Sequence, residues 1–160
     1  MVVEVAFEER YWYPEDGGAV WIAGYHVVDP VSGRYLGRDA PELAARGLRL
    51  LNVAGARDHH AEALLSDEAA PGRPLALRRD PENAHDPNAI AVHVPAGDQL
   101  GWVPRDAAAE LAPDLDSGRA WSAVALRERR SSPRDARSGL TMLLAADVAL
   151  ALREHPPGRQ

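Results

Sequence analysis

The chain reads as a mainly β protein with short helices. Runs of β-branched and aromatic residues recur along it at short, regular spacing. Clusters of Gly, Pro, Asn and Asp separate them. Strands do not alternate with long helical patterns, as βαβ units require, so the rhythm fits a small barrel or sandwich.

The elements follow in order. Ala19–Val28 is rich in strand formers, and Asp29-Pro-Val-Ser-Gly33 turns the chain toward Arg34-Tyr-Leu36, which predicts a β-hairpin. Ala40 to Arg46 has helical apolar spacing, with Asp39 as expected cap, Pro41 in the first turn and Gly47 at the end. Leu48–Ala56 predicts a strand, and a polar, Ala-rich stretch runs from His59 to Gly72. Three short strands are expected at Pro74–Arg79, Asn88–Val94 and Gln99–Val103. Pro104 to Ala112 predicts a helix that Pro113 breaks or kinks before Gly118. Trp121–Leu126 and Leu140–Leu152 complete the expected sheet, although the alanines and leucines of the second segment suit a helix equally. Arg129 to Gly139 holds four arginines, and its ordinary reading is a solvated hairpin tip, with a flexible phosphate-contacting arm as the alternative.

Composition removes much chemistry. Hydrophobic residues are 46% and charged residues 26% of the 160-residue chain, the balance of a globular protein. Cysteine is absent, which excludes disulfides, thiolate catalysis and Cys-based zinc sites. All 18 basic residues are arginine, so mechanisms that need a phosphate-gripping or Schiff-base lysine drop out. Six histidines are present, but His59, His60, His85 and His93 show no metal-ligand spacing, and no GxSxG turn is visible. The expectation is a non-enzyme with no cofactor and no metal. No apolar run approaches a membrane span and the start lacks signal-peptide character, so a cytoplasmic protein without membrane association is expected. Net charge is −6, and residues 48–130 hold 10 Arg against 13 Asp plus Glu. This argues against a broad basic face for duplex DNA, and any nucleic-acid contact must rest on a few local arginines.

The most informative stretch is Arg79-Asp-Pro-Glu-Asn-Ala-His-Asp-Pro-Asn-Ala-Ile-Ala-Val92, followed after a short turn by Gly101-Trp-Val-Pro-Arg105 and its helix. It resembles the HIRAN domain, whose hallmark is a strand, an acidic Asn-x-aromatic-Asp-x-Asn-Ala-Ile turn, a second strand and a Gly-aromatic-aliphatic-Pro-Arg entry into a helix. The resemblance runs from about Leu50 to Leu126. It implies an OB-like small β-barrel, expected over residues 48–152; residues 1–47 lie outside the resemblance and are expected to form an N-terminal β-hairpin and helix extension, and residues 153–160 a disordered tail.

HIRAN domains occur at the front of Swi/Snf-class translocases that remodel stalled forks, and also alone in bacteria. The resemblance implies a nucleic-acid-binding module for single-stranded DNA, 3′ ends or damaged DNA, with a protein-interaction domain that has lost DNA binding as the alternative. Carried over by residue, Asp86 falls at the carboxylate that accepts a hydrogen bond from the terminal hydroxyl. His85 falls at the adjacent stacking position, and Arg57 and Arg105 at phosphate contacts. Trp102 lies beside Arg105, and Asn83 opens the acidic turn. Asp58 stands where a second stacking tyrosine is expected, which leaves His59 as the neighbouring ring. Each has an ordinary reading as well: Asn83 and Asn88 suit an Asx-rich turn, Trp102 suits core packing, and Arg105 suits an ion pair with Asp106 or Glu110.

Overall fold

The computed structural model describes residues 1–14 and 17–155. Two strands open it, β1 (Val2–Trp12) and β2 (Val20–Val27), followed by helix α1 (Pro41–Ala45) and strand β3 (Leu48–Asn52). Two single-turn helices, α2 (Ala56–His59) and α3 (Ala61–Leu64), lead through a 3-10 turn at Asp67–Ala69 into β4 (Pro74–Arg79). The meander β5 (Ile90–His93) and β6 (Gln99–Trp102) precedes helix α4 (Arg105–Asp116). Strands β7 (Trp121–Arg130), β8 (Gly139–Ala146) and β9 (Ala151–His155) complete the chain.

The fold is mainly β with short helices, as expected, but the sheet does not close. Its path runs β6-β5-β4-β7-β2-β1-β9, with β8 paired to both β7 and β3 off that path. Along β8, Leu140, Met142 and Leu144 enter one apolar cluster with Val53, Ile90 and Leu111, while Leu143 and Ala145 enter a second with Leu43 and Leu48. A strand buried on both faces has no polar alternation to display, which is why Leu140–Leu152 resembled helix as much as strand. The segment divides into β8 and β9, and Asp147 takes a left-handed turn between them (φ 65°).

Several expectations need correction. The N-terminal hairpin is formed by β1 and β2, paired from Val5↔Val27 to Trp12↔Val20, and not by Ala19–Val28 with Arg34–Leu36, which share a single bridge at Val28↔Tyr35. Asp39 does not cap α1; Ala40 holds the cap position without a side-chain bond. Pro113 does not end α4, which continues to Asp116 with the exposed proline inside it. β9 pairs in parallel with β1 through His155, so Arg153 to His155 belong to the sheet and not to a tail. Buried Glu4 anchors this pairing, accepting from Arg153 Nε at 2.7 Å and lying 2.6 Å from His155 Nε2. The rest of the expected tail, residues 156–160, lies outside the described residues. Among the described residues, no helix is long and apolar enough to cross a membrane.

One ring on β2 makes stability depend on pH. His26 stacks on Tyr35 at 4.6 Å, and burial, reinforced by the Arg127 charge, pushes its pKa from 6.5 down to about 4. The unfolded chain therefore takes up this proton at higher pH than the folded one, so stability is lost as pH falls from 6.5 toward 4. Urea titrations at pH 7 and pH 5 should show a smaller loss in His26→Gln than in the parent chain. Equal losses would mean that His26 does not set this slope.

Candidate nucleic-acid interface

The acidic turn between β4 and β5 is built by its own side chains. Asn83 Oδ1 accepts from the backbone N–H groups of His85 (2.9 Å) and Asp86 (3.1 Å), while its Nδ2 donates to Asp80 Oδ2 at 3.2 Å. Asp86 Oδ1 accepts from the Asn88 N–H at 2.9 Å. These are Asx-turn bonds, and they fix the loop without help from a sheet. The second oxygen, Asp86 Oδ2, has no hydrogen bond among the described residues and lies 3.8 Å from Arg105 Nε. Asp86 is largely buried, its side chain only 18% exposed, whereas that of Arg105 is 78% exposed.

The β6 strand brings the second half of the site. Ala54 and Trp102 exchange backbone bonds of 2.8 and 2.9 Å, and this bridge draws the β3 exit against the end of β6. Gly101 permits the approach: a Cβ there would lie 2.4 Å from the Ala54 carbonyl oxygen. Pro104 then precedes α4 and sets Arg105 at its first position. Asn83, His85, Asp86, Trp102 and Arg105 thereby line one cleft of about 280 Å³ with Ala54 and Val103. Five of the seven residues singled out from the sequence meet in this cleft.

Arg57 and His59 lie beside it on α2. Arg57 is exposed, without a hydrogen bond or ion pair among the described residues. Gly55 adopts a left-handed conformation (φ 71°), and a Cβ on it would touch both Trp102 Cδ1 (3.4 Å) and His59 Cδ2 (3.5 Å), so the two rings flank the same glycine. His59 also lines a neighbouring groove of about 460 Å³ with Asp58, Glu62 and Asp98. A roomier cleft of about 700 Å³ lies among Val5, Tyr25, Leu75, Trp121 and Leu152, but no arginine lines it.

Sequence reasoning missed Arg79. Its Nη1 and Nη2 donate to the carbonyls of Ala89 (2.8 Å) and Pro87 (3.0 Å), while Nε donates to Asp116 Oδ1 at 2.8 Å. One guanidinium thus ties the acidic turn to the far end of α4, and the paired Asp116 carboxyl is held below its ordinary pKa. Arg79 opens the stretch singled out from the sequence, but nothing in residue order gave it a role. The ordinary reading of Arg105 as partner of Glu110 does not hold, since Arg49 Nη1 takes Glu110 at 2.7 Å.

Comparison with known proteins identifies the family. A sequence profile described as the HIRAN domain matches residues 47–142. Among solved structures, the HIRAN domain of human HLTF is 24% identical over 63% of this chain and 77% of that one, with a TM-score of 0.47. A protein from Lactobacillus plantarum is 22% identical over 62% of this chain and 92% of that one, with a TM-score of 0.49. No curated protein matches the chain. With its profile match covering well over half of its length, and both hallmark motifs inside the match, the chain belongs to the HIRAN domain family.

Proposed function

We propose that the chain is a nucleic-acid-binding module that holds the 3′-hydroxyl end of a DNA single strand in the cleft between the acidic turn and α4, as at damaged or stalled-fork DNA. The observation that carries this reading is the division of labour within Asp86. One carboxylate oxygen is spent on the turn, and the other lies inside the cleft next to Arg105. A terminal hydroxyl donates to that oxygen, while Arg105 and Arg57 take the adjacent phosphates. His85, Trp102 and His59 supply ring faces for the last bases.

Arg105→Ala tests the phosphate contact. Its exposure means the fold should survive, while affinity for every sequence falls alike and the log-log salt slope flattens by about 0.7, one single-strand phosphate's worth. Fluorescence anisotropy across a salt series reads both quantities. A folded variant with an unchanged slope would leave Arg105 as a partner of Asp86 alone.

A second reading rests on Asp58. It is exposed on α2 and joins Glu62 and Asp98 in an acidic groove beside His59, where a stacking ring would serve an incoming base. In that reading the chain is a protein-interaction module that keeps the fold without DNA binding. Salt-sensitive oligonucleotide affinity separates the two, because only phosphate contacts release counterions.

A further inference from the structure

Strand register assembles three arginines that are scattered in the sequence, and a loop adds a fourth. Arg10, Ile22, Arg129 and Gly139 form one lateral row across β1, β2, β7 and β8. The next row on the same face is Glu8, Gly24, Arg127, Thr141 and Asn52, reaching β3. Two glycines make room for the arginine side chains. A Cβ at Gly139 would lie 2.2 Å from Arg129 Nη2, and one at Gly24 would lie 3.1 Å from Arg127 Cγ. Arg38 joins from the loop before α1, donating to Asn52 Oδ1 at 3.1 Å.

The cluster is cationic, and only Arg10 of its four arginines has a carboxylate partner among the described residues. Arg129 Nη1 donates to Thr141 Oγ1 (3.3 Å) and Asn52 Oδ1 (3.4 Å), and Arg127 Nη1 to the Tyr25 carbonyl (2.9 Å), all neutral acceptors. Among the described residues, no carboxylate pairs with Arg38, Arg127 or Arg129; Glu8 lies 3.8 Å from Arg10 and accepts from the Tyr35 hydroxyl. Burial first, and then repulsion from the Arg38 charge, lowers the pKa of both Arg127 and Arg129, and a bound anion would relieve that repulsion. Exposed Trp12, two residues along β1 from Arg10, shares this face and offers a stacking surface.

The face approaches the candidate cleft at the end of β3. Asn52 ends that strand, and Ala54 follows two residues on, within about 7 Å along the chain. Ala54 is the bridge partner of Trp102 and lines the cleft. We propose that Arg10, Arg38, Arg127 and Arg129 form a second phosphate-binding site, which carries the nucleic-acid backbone away from the cleft across Asn52 toward Trp12. This rests on the nucleic-acid reading above and adds a defined path to it.

The test compares labelled oligothymidylates of about three and about fifteen nucleotides, lengths that bracket one small binding surface. Arg10→Gln/Arg38→Gln changes two exposed side chains, so the fold is retained. It should leave the short oligonucleotide unaffected, weaken the long one about tenfold, and flatten its salt slope by about 1.4. Arg129→Gln should act in the same direction. Inorganic tripolyphosphate at equal phosphate concentration should displace the long oligonucleotide poorly. Ready displacement would assign the cluster to a small oligophosphate instead and overturn the proposal. So would folded variants with unchanged affinity and slope for the long oligonucleotide. If free and blocked 3′ ends bind alike while the arginine variants still weaken the long oligonucleotide, end capture fails and this site stands. If end preference persists and the arginine variants change nothing, this site fails and end capture stands.

Discussion

Arg137→Ala is expected to cost about 3 kcal/mol of folding stability, the loss typical of a buried ion pair deprived of one partner. The side chains of Arg137 and Glu128 are 6% and 7% exposed. Arg137 donates through Nε (3.2 Å) and Nη2 (3.0 Å) to Glu128 Oε2, and through Nη1 to the carbonyls of Leu64 (2.6 Å) and Ser66 (3.0 Å). Truncation leaves a buried carboxylate with Arg130 as its remaining charged partner, and it strips both carbonyls of this donor. Urea unfolding should show a lower midpoint with an unchanged m-value. The double variant Arg137→Met/Glu128→Leu should recover much of the loss, because it removes the charge that truncation strands. A loss below about 1 kcal/mol for Arg137→Ala would mean that water replaces the guanidinium. Arg137 also ties the α3 exit to the β7–β8 hairpin, so the variant should loosen the segment that presents Arg57 and His59.

Asp86→Asn should erase the preference for a free 3′-hydroxyl while leaving the fold intact. A hydrogen bond to a charged acceptor contributes about 1.5–3 kcal/mol, which corresponds to a selectivity of roughly ten- to a hundredfold. An Asn side-chain oxygen still accepts from the Asn88 N–H, so the turn is retained while the charge is lost. Asp86→Ala loses both and should in addition cost about 1 kcal/mol of stability. Binding to internal single strand should persist in both variants, or strengthen as repulsion of the phosphates is relieved. Anisotropy with free and 3′-phosphorylated oligonucleotides measures the selectivity. An Asn variant that keeps the full preference would assign the hydroxyl to another acceptor.

The cleft was more legible in the sequence than the sheet around it. Asp80 to Asn88 forms a turn through its own side chains, and local bonds of this kind show in residue order. β4 and β6 likewise begin where short strands between turn formers were expected. β1 was missed because Val3, Glu4, Val5 and Ala6 are all buried, so the strand has no alternation to read. What permits a buried Glu4 is Arg153 and His155, about 150 positions away. The four arginines of the second site were illegible for the same reason, since strand register brings three of them together and a loop bond from Arg38 to Asn52 adds the fourth. Arg137 was read within an exposed loop, yet its partners Leu64 and Ser66 precede it by 73 and 71 residues.

The most direct test of the account is the affinity of the unaltered chain for one single-stranded oligonucleotide carrying either a free 3′-hydroxyl or a 3′-phosphate. The geometry of Asp86 and Arg105 predicts that the free end binds at least about tenfold tighter, the lower bound for one charged hydrogen bond. Equal affinity for the two ends would contradict end capture. Absence of any salt-sensitive binding would contradict the nucleic-acid reading as a whole and favour the protein-interaction module that Asp58 suggests.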